Sequence, residues 1–393
     1  MKVVLMNKNT EVLVAEYHEG AKYFTDILEI KNIDYAPMIV KKAYETAEKD
    51  SINQVLSDWF QSRGIPNNRD KLDILMDRLN IISPSVLLDK AFGLSLSDQY
   101  WIKPFTEDIK HKDINFFDND FNDIEFTEAT FTLNVPKISS EITLKTPNNT
   151  TDGVLRKTWI IEDKKRYLLK AGLKSEVLQP FNEVLASMIC EGLGFHHVPY
   201  TIDKIKDNIV SKCVCFVDPN TELIPAYQIL SGTDKENAYD YYIKTLVENG
   251  IENAKEKVEN MFILDYLILN NDRHLNNFGI IRDVNTLKWL DVAPIFDTGN
   301  SLSLLKYTDD EIVIEGNGRF FYVVDSFDNI IKNIDNLKRI DVSKLENLPL
   351  LFDNLLSKYK DITKMTDKRI NKLCTLLNNR IKKLKTLIEL SKD

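Results

Sequence analysis

Asn270-Asn271-Asp272-Arg273-His274-Leu275-Asn276-Asn277-Phe278-Gly279, followed by Ile295-Phe296-Asp297-Thr298-Gly299, is the stretch on which the reading of this chain turns. As chemistry it is an acid, an amide five positions later, and a second acid ahead of a glycine. That order suits phosphoryl transfer. One carboxylate accepts or orients the proton of an attacking hydroxyl, while the amide and the second carboxylate hold magnesium on nucleotide phosphates. The alternative is a polar loop with ordinary capping Asp and Asn, because an Asp-x4-Asn pair is common by itself. The second Asp-x-Gly, placed after a hairpin pattern, favours the catalytic reading.

The flanks supply a scaffold for both acids. Met261 to Leu269 is an apolar run interrupted only by Asp265 and ending in Asn270-Asn271, as a buried helix does before a loop. Gly279-Ile280-Ile281 and Leu287-Lys288-Trp289-Leu290 read as a short hairpin turning at Asp283 to Asn285, with Asp297 beyond it. The four-residue gap between Asp272 and Asn277 is also the protein-kinase spacing of catalytic Asp and metal-binding Asn.

Upstream, Lys145 to Gly153 is a turn-rich loop. Val154-Leu155, Trp159-Ile160-Ile161 and Tyr167-Leu168-Leu169-Lys170 follow as strands, turning at Glu162 to Lys165; the pattern becomes strand-like from Thr143. The loop's hydroxyls (Thr150, Thr151) and Gly153 suit either a fold over phosphates through backbone N–H groups or an ordinary hairpin. Lys170 ends an apolar strand, an awkward place for a cation without an anionic partner. Glu183, on a predicted helix from Pro180 to Leu193, is that partner if strand Lys and helix Glu together position a nucleotide; otherwise Lys170 lays its stem along the sheet surface. Val198 to Ile202 and Ile209 to Phe216 read as further strands, and the backbone of Val214 to Phe216 is a candidate cradle for an adenine edge. Glu222 to Tyr227 continues the exit from that sheet.

Bulk properties bound the answer. With 393 residues, 43% hydrophobic and 28% charged, the chain is globular material for two or three domains. A net charge of −9 argues against a broad direct nucleic-acid footprint. Four scattered cysteines do not make a disulfide scaffold, and Cys213-Val214-Cys215 reads as two sulfurs on one buried strand face rather than a metal pair. The apolar start Met1 to Met6 turns polar at Asn7, so a signal peptide is not expected, and nothing approaches the ~20 apolar residues of a membrane span. A reducing cytoplasmic setting is expected.

Val3 to Leu5 and Val12 to Glu16 flank a Lys8-Asn9-Thr10 turn, and helical spacing covers Tyr35 to Glu48, Ser51 to Arg63, Lys71 to Leu79 and Ser85 to Ala91. Gly93 to Trp101 reads as a capped helix start whose Tyr100 and Trp101 anchor the first block to the next domain; a recognition surface is the alternative. Asp113 to Phe131 reads as a solvated connection with phenylalanines tacked onto the core, or else an acidic docking face. From Ala238 the chain is mainly helical: Tyr241 to Asn249, Ala254 to Leu269, Asp328 to Asn333, Pro349 to Leu356 and a basic amphipathic helix from Asp367 to Lys392.

Asp272-Arg273-His274-Leu275-Asn276-Asn277-Phe278 with Pro294-Ile295-Phe296-Asp297 resembles the HipA-like serine/threonine kinases, which place an Asp-x-His-x-x-Asn-Phe motif before a Pro-x-aromatic-Asp metal site. The resemblance runs from about Thr146 to the end of the helical part and includes Lys170-Ala171-Gly172 and Asn182-Glu183; residues before 125 are not obviously matched. It implies ATP and magnesium, Asp272 as catalytic base, Asn277 and Asp297 as metal ligands, and Lys170 as the phosphate-binding lysine. His274 is implied either in phosphate contact or in a hydrogen bond that braces the loop. Thr150 and Thr151 become candidate autophosphorylated hydroxyls.

The resemblance implies an α+β, bilobal protein-kinase-like fold: an antiparallel-sheet N-lobe (126–235) and a helical C-lobe (236–393), after an extra N-terminal α/β subdomain (1–125). The expected function is transfer of phosphate to Ser/Thr of a protein, with a lipid or small-molecule kinase and a catalytically silent kinase-fold module as alternatives. Expected partners are a protein substrate and an antitoxin-like or regulatory protein, with no direct nucleic-acid contact and no membrane.

Overall fold

The computed structural model describes residues 1–19, 22–46, 49–79, 81, 83–121, 124–131, 145–172, 177–302 and 316–391. Its strands are β1 (Lys2–Asn7), β2 (Thr10–His18), β3 (Tyr23–Ile30), β4 (Tyr100–Pro104), β5 (Lys157–Glu162), β6 (Lys165–Ala171), β7 (Tyr200–Ile205), β8 (Asn208–Val214), β9 (Thr221–Pro225), β10 (Gly279–Asp283), β11 (Trp289–Val292), β12 (Asn317–Phe320) and β13 (Val323–Ser326). By internal contacts the chain divides into two units. The first comprises 1–169, 214–232 and 280–290; the second comprises 170–213, 233–279 and 291–393.

The first unit is built on an antiparallel sheet in the order β3-β2-β1-β4. Leu5 pairs with Leu13 on one side and Ile102 on the other. Alternate residues feed two cores. Val3, Leu5, Leu13 and Tyr17 pack with Leu56, Trp59 and Phe60 of the helix Lys49–Ser62, while Val4, Met6 and Val14 pack with Leu94, Trp101 and Phe116. A strand covered on both faces reads as an unbroken apolar run rather than an alternation. That explains one correction: Tyr100 and Trp101 do not start a helix but lie on β4, where the Trp101 indole N–H donates to the Lys8 carbonyl at 2.8 Å. Strand β3 was not anticipated; it is mostly exposed and lacks a clear pattern.

The hairpin at 157–171 turns through Asp163 and Lys164, whose φ values of 50° and 63° give the twist a two-residue loop needs. It belongs to a sheet ordered β5-β6-β8-β7. Val154-Leu155 form a bend rather than a strand, following a short 3-10 turn at Pro147–Thr150; the strand-like start at Thr143 lies outside the described residues. The stretch after β8 does not merely continue away, because β9 joins a separate sheet, β11-β10-β9. There the Asp283 carboxylate organises the turn by accepting from the N–H groups of Asn285 (3.0 Å) and Thr286 (2.7 Å).

The second unit is mainly helical. The helix Gln179–Leu193 begins with Pro180 in its first turn and ends at Gly194, whose φ of 76° lets its N–H return to the Cys190 carbonyl. The helix Ala254–Ile268 is buried along most of its length, and Leu269 leaves it at a φ of 55°. Its carbonyl end is closed from the helix Asp367–Leu390: the buried Arg380 guanidinium donates to the Tyr266 carbonyl at 3.1 and 2.8 Å. Of the expected apolar face of that last helix, Ile370, Leu373, Leu376, Leu377, Ile381 and Leu384 are buried and Leu387 is half-buried. Among the described residues no helix is long and apolar enough to cross a membrane.

Because Lys164 holds a left-handed conformation that glycine adopts without steric cost, Lys164→Gly is expected to raise stability by about 0.5 kcal/mol, a gain reduced by glycine's unfolded-state entropy. A urea titration monitored by circular dichroism checks the sign.

Candidate functional site

Strand β6 delivers Lys170 into the interior, and its ammonium donates to Glu183 Oε1 at 2.7 Å and Asp297 Oδ1 at 2.9 Å. Burial alone pulls this ammonium toward neutrality, but Asp297 and Glu183 more than reverse the pull and hold it well above the ordinary lysine range. The Tyr200 ring lies 5.6 Å from the ammonium, and its buried phenol, kept neutral, accepts from the Asp297 N–H at 3.4 Å. The Ser211 hydroxyl donates to the other Glu183 oxygen. The Glu183 carboxylate therefore has a donor at each oxygen, and Lys170 is fixed.

Asp297 itself has a φ of 54°, a left-handed conformation uncommon for a residue with a side chain. The loop that carries it is tied to the helix Gln179–Leu193, whose Asn182 amide donates to the carbonyls of Gly299 (3.0 Å) and Ser301 (2.6 Å). Gly299 lies against the same helix, where a Cβ would meet the Gln179 carbonyl at 3.4 Å and Glu183 Cγ at 3.6 Å.

The loop from Asn270 to Asn277 is braced from within. His274 N–H donates to the Asp272 carbonyl and Asn277 N–H to the His274 carbonyl, both at 2.8 Å. The Asn277 amide nitrogen donates to the Asp272 carbonyl at 3.0 Å, and His274 Nδ1 accepts from the Asn276 N–H at 3.3 Å. Beneath the loop, the fully buried Arg273 grips Asp265 with two bonds of 2.8 and 2.9 Å. The same guanidinium donates to the carbonyls of Asn277 (2.7 Å) and Phe296 (2.8 Å). Since Phe296 precedes Asp297, one cation ties both acid-bearing loops together. Asp265 completes the brace by accepting from the Asn270 amide at 2.8 Å.

Asp272 is half-buried. Burial raises its pKa above the ordinary 3.8; His274 lowers it, Asp297 raises it, and Arg319 and Arg273 lower it. The two acids are thus within electrostatic range of each other. The second unit thereby gathers Lys170, Glu183, Asp272, His274, Asn277 and Asp297. Reading the sequence assigned no role to Arg273 or Asn182, though both stand in the quoted motifs, and missed Ser211 and Tyr200; Asp265 was visible as the one acid in the apolar run Met261 to Leu269, without its partner.

Thr150, Thr151, Gly153, Val214 and Phe216 fall in the first unit. Both threonines are buried: the Thr150 hydroxyl donates to the Leu94 carbonyl at 2.6 Å, and that of Thr151 to the Asn148 carbonyl at 3.1 Å while accepting from Arg69 at 2.7 Å. Arg69 also donates to the Gly153 carbonyl at 3.1 Å, and its burial pulls its pKa down to about 10. Gly153 adopts a φ of 94°. Between Val214 and Phe216, the Cys215 N–H is already bonded to the Arg166 carbonyl at 2.8 Å. Among the described residues no cluster of His, Cys, Asp and Glu forms a metal site by itself.

Asp265→Ala strands a buried guanidinium and should cost about 3–5 kcal/mol, read from the urea midpoint. Asp272→Asn should do the reverse. Well below the ordinary carboxylate range both proteins are neutral at this position and should melt together. As pH rises from the ordinary value of 3.8 to the raised pKa, the unfolded parent ionises while burial and Asp297 resist ionisation in the folded one. The parent loses stability across that window, so the variant should be the more stable at neutral pH. Thermal melts from acid to neutral pH check this; no gain at neutral pH would contradict it.

No family model matches the sequence, and no curated protein matches it significantly. Among solved structures, the Helicobacter pylori proinflammatory kinase CtkA is similar over 60% of this chain and 95% of its own, at 19% identity and a TM-score of 0.48. HipA of Shewanella oneidensis MR-1, solved in complex with HipB and operator DNA, is similar over 99% of this chain and 100% of its own, at 11% identity and a TM-score of 0.53. The expected α+β, HipA-like and kinase-like fold is therefore the fold of this chain, first block included.

Proposed function

We propose that this chain is an ATP- and magnesium-dependent kinase that phosphorylates Ser or Thr of a protein. The observation that carries the reading is the Lys170 ammonium held between Glu183 and Asp297, in the same unit as the Asp272–Asn277 loop. The donor chemistry fits magnesium. Asp297 offers carboxylate oxygen, and Asn277, with its amide nitrogen taken by the Asp272 carbonyl, has its amide oxygen left to turn to a cation. When bound, the ion neutralises charge developing on the β- and γ-phosphates.

Asp272 orients the acceptor hydroxyl and receives its proton. The hydroxyl oxygen forms the new bond to the γ-phosphorus as the bond from that phosphorus to the bridging oxygen breaks, and ADP leaves with the electron pair. Lys170 neutralises phosphate charge, and Glu183, itself fixed by Ser211, keeps the lysine in place. Such catalysis is mostly positioning and electrostatics, so loss of one of these groups is severe. Thr150 or Thr151 is a candidate for self-modification once its buried hydroxyl is released.

The neighbouring HipA structure contains HipB and DNA, which supports an antitoxin-like or regulatory protein partner for this chain. The expectation of no nucleic-acid contact finds no support in that comparison.

With labelled ATP, magnesium and cell lysate, the parent should transfer label to protein. Asp272→Asn and Asp297→Ala should each reduce transfer by at least about a hundredfold while remaining folded. Undiminished transfer by either variant would defeat the assignment.

A further inference from the structure

The hairpin β12–β13 carries an arginine that the reaction above leaves unused. Its register pairs Arg319 with Val324 and Phe320 with Val323, so Arg319 and Val324 share one face while Phe320 and Val323 share the other. Phe320 packs its ring 4.7 Å from Phe262 and 5.1 Å from Tyr239. At the turn, Phe321 lies 5.5 Å from Phe278 and 5.6 Å from Tyr242. Gly318 sits so close to Phe327 that a Cβ there would meet the ring at 2.5 Å. The hairpin is therefore seated on aromatic rings, one of which, Phe278, directly follows Asn277.

Arg319 stands on the face away from Phe320 and is exposed, and its charge is felt at Asp272. Among the described residues it makes no hydrogen bond or ion pair. Val324, opposite it, is 60% exposed. An exposed cation, unpaired among the described residues, beside an exposed apolar residue and on a hairpin packed against Phe278, has the character of a recognition surface.

We propose that this face of the hairpin seats the acceptor polypeptide, with Arg319 pairing with an acidic side chain near the phosphorylated Ser or Thr and Val324 packing beside an apolar one. An extended chain advances about 3.3 Å per residue, so an acid a few positions from the acceptor hydroxyl lies on the order of 10 Å from it. The inference rests on the phosphoryl-transfer reading and specifies its substrate class, an acid-flanked hydroxyl.

The test uses the full chain, Mg-ATP and two serine peptides that differ only in carrying Glu or Lys on both sides of the acceptor. The parent should favour the Glu peptide by roughly tenfold in kcat/KM. Arg319→Glu should invert the preference, and Arg319→Gln should level it, with thermal melts showing both variants folded. Equal use of the two peptides by the parent, or an unchanged preference in Arg319→Glu, overturns the acid-directed surface while leaving the kinase reading intact. If the parent labels neither peptide nor any protein in lysate, both inferences fall.

Discussion

A lysine ammonium stripped of water is tolerable only opposite negative charge, and Lys170 imposes that condition on everything around it. Glu183 and Asp297 meet it from two different elements, a helix and a loop. Each carboxylate then needs its own donors and its own support. Ser211 takes the remaining Glu183 oxygen, Tyr200 lies across the cation, and Asn182 anchors the loop behind Asp297. Gly299 of that loop rests against the helix Gln179–Leu193 that carries Asn182 and Glu183.

A second buried cation answers a different need. Arg273 neutralises itself against Asp265 and spends its remaining donors on backbone carbonyls that no helix or sheet satisfies. The first pair fixes side chains, and the second positions the backbone that carries them. Both lie where water cannot substitute for a lost partner.

The contrast between what could be read and what could not is a matter of range. Asp272 and Asn277 sit in one short loop, so their spacing survives into three dimensions. Lys170 and Glu183 were legible because a charge at the end of an apolar strand requires a partner and the next helix offers one. Asn182 and Ser211 act on groups 117 and 28 residues away, and nothing in their immediate neighbours distinguishes them. In sequence Arg380 is one more base on an amphipathic helix; its bond to the Tyr266 carbonyl is made 114 residues away. Strand β4 was hidden because a doubly covered strand has no polar face, and β3 because an exposed one has little apolar face. Where hydrophobic period was strong, as in the helices Ala254–Ile268 and Asp367–Leu390, the elements were readable to within a residue or two.

The guanidinium of Arg273 bonds to two carbonyls, those of Asn277 and Phe296, and this makes the loops a single mechanical part. Neither can slide without dragging its neighbour or opening a bond in a dry interior. The backbones at 277 and 296 are thereby held to one another through a shared guanidinium. Sequence drift on the outer surface of either loop leaves that link untouched, so the loops are free to change their solvent-facing residues while the grip beneath them stays the same.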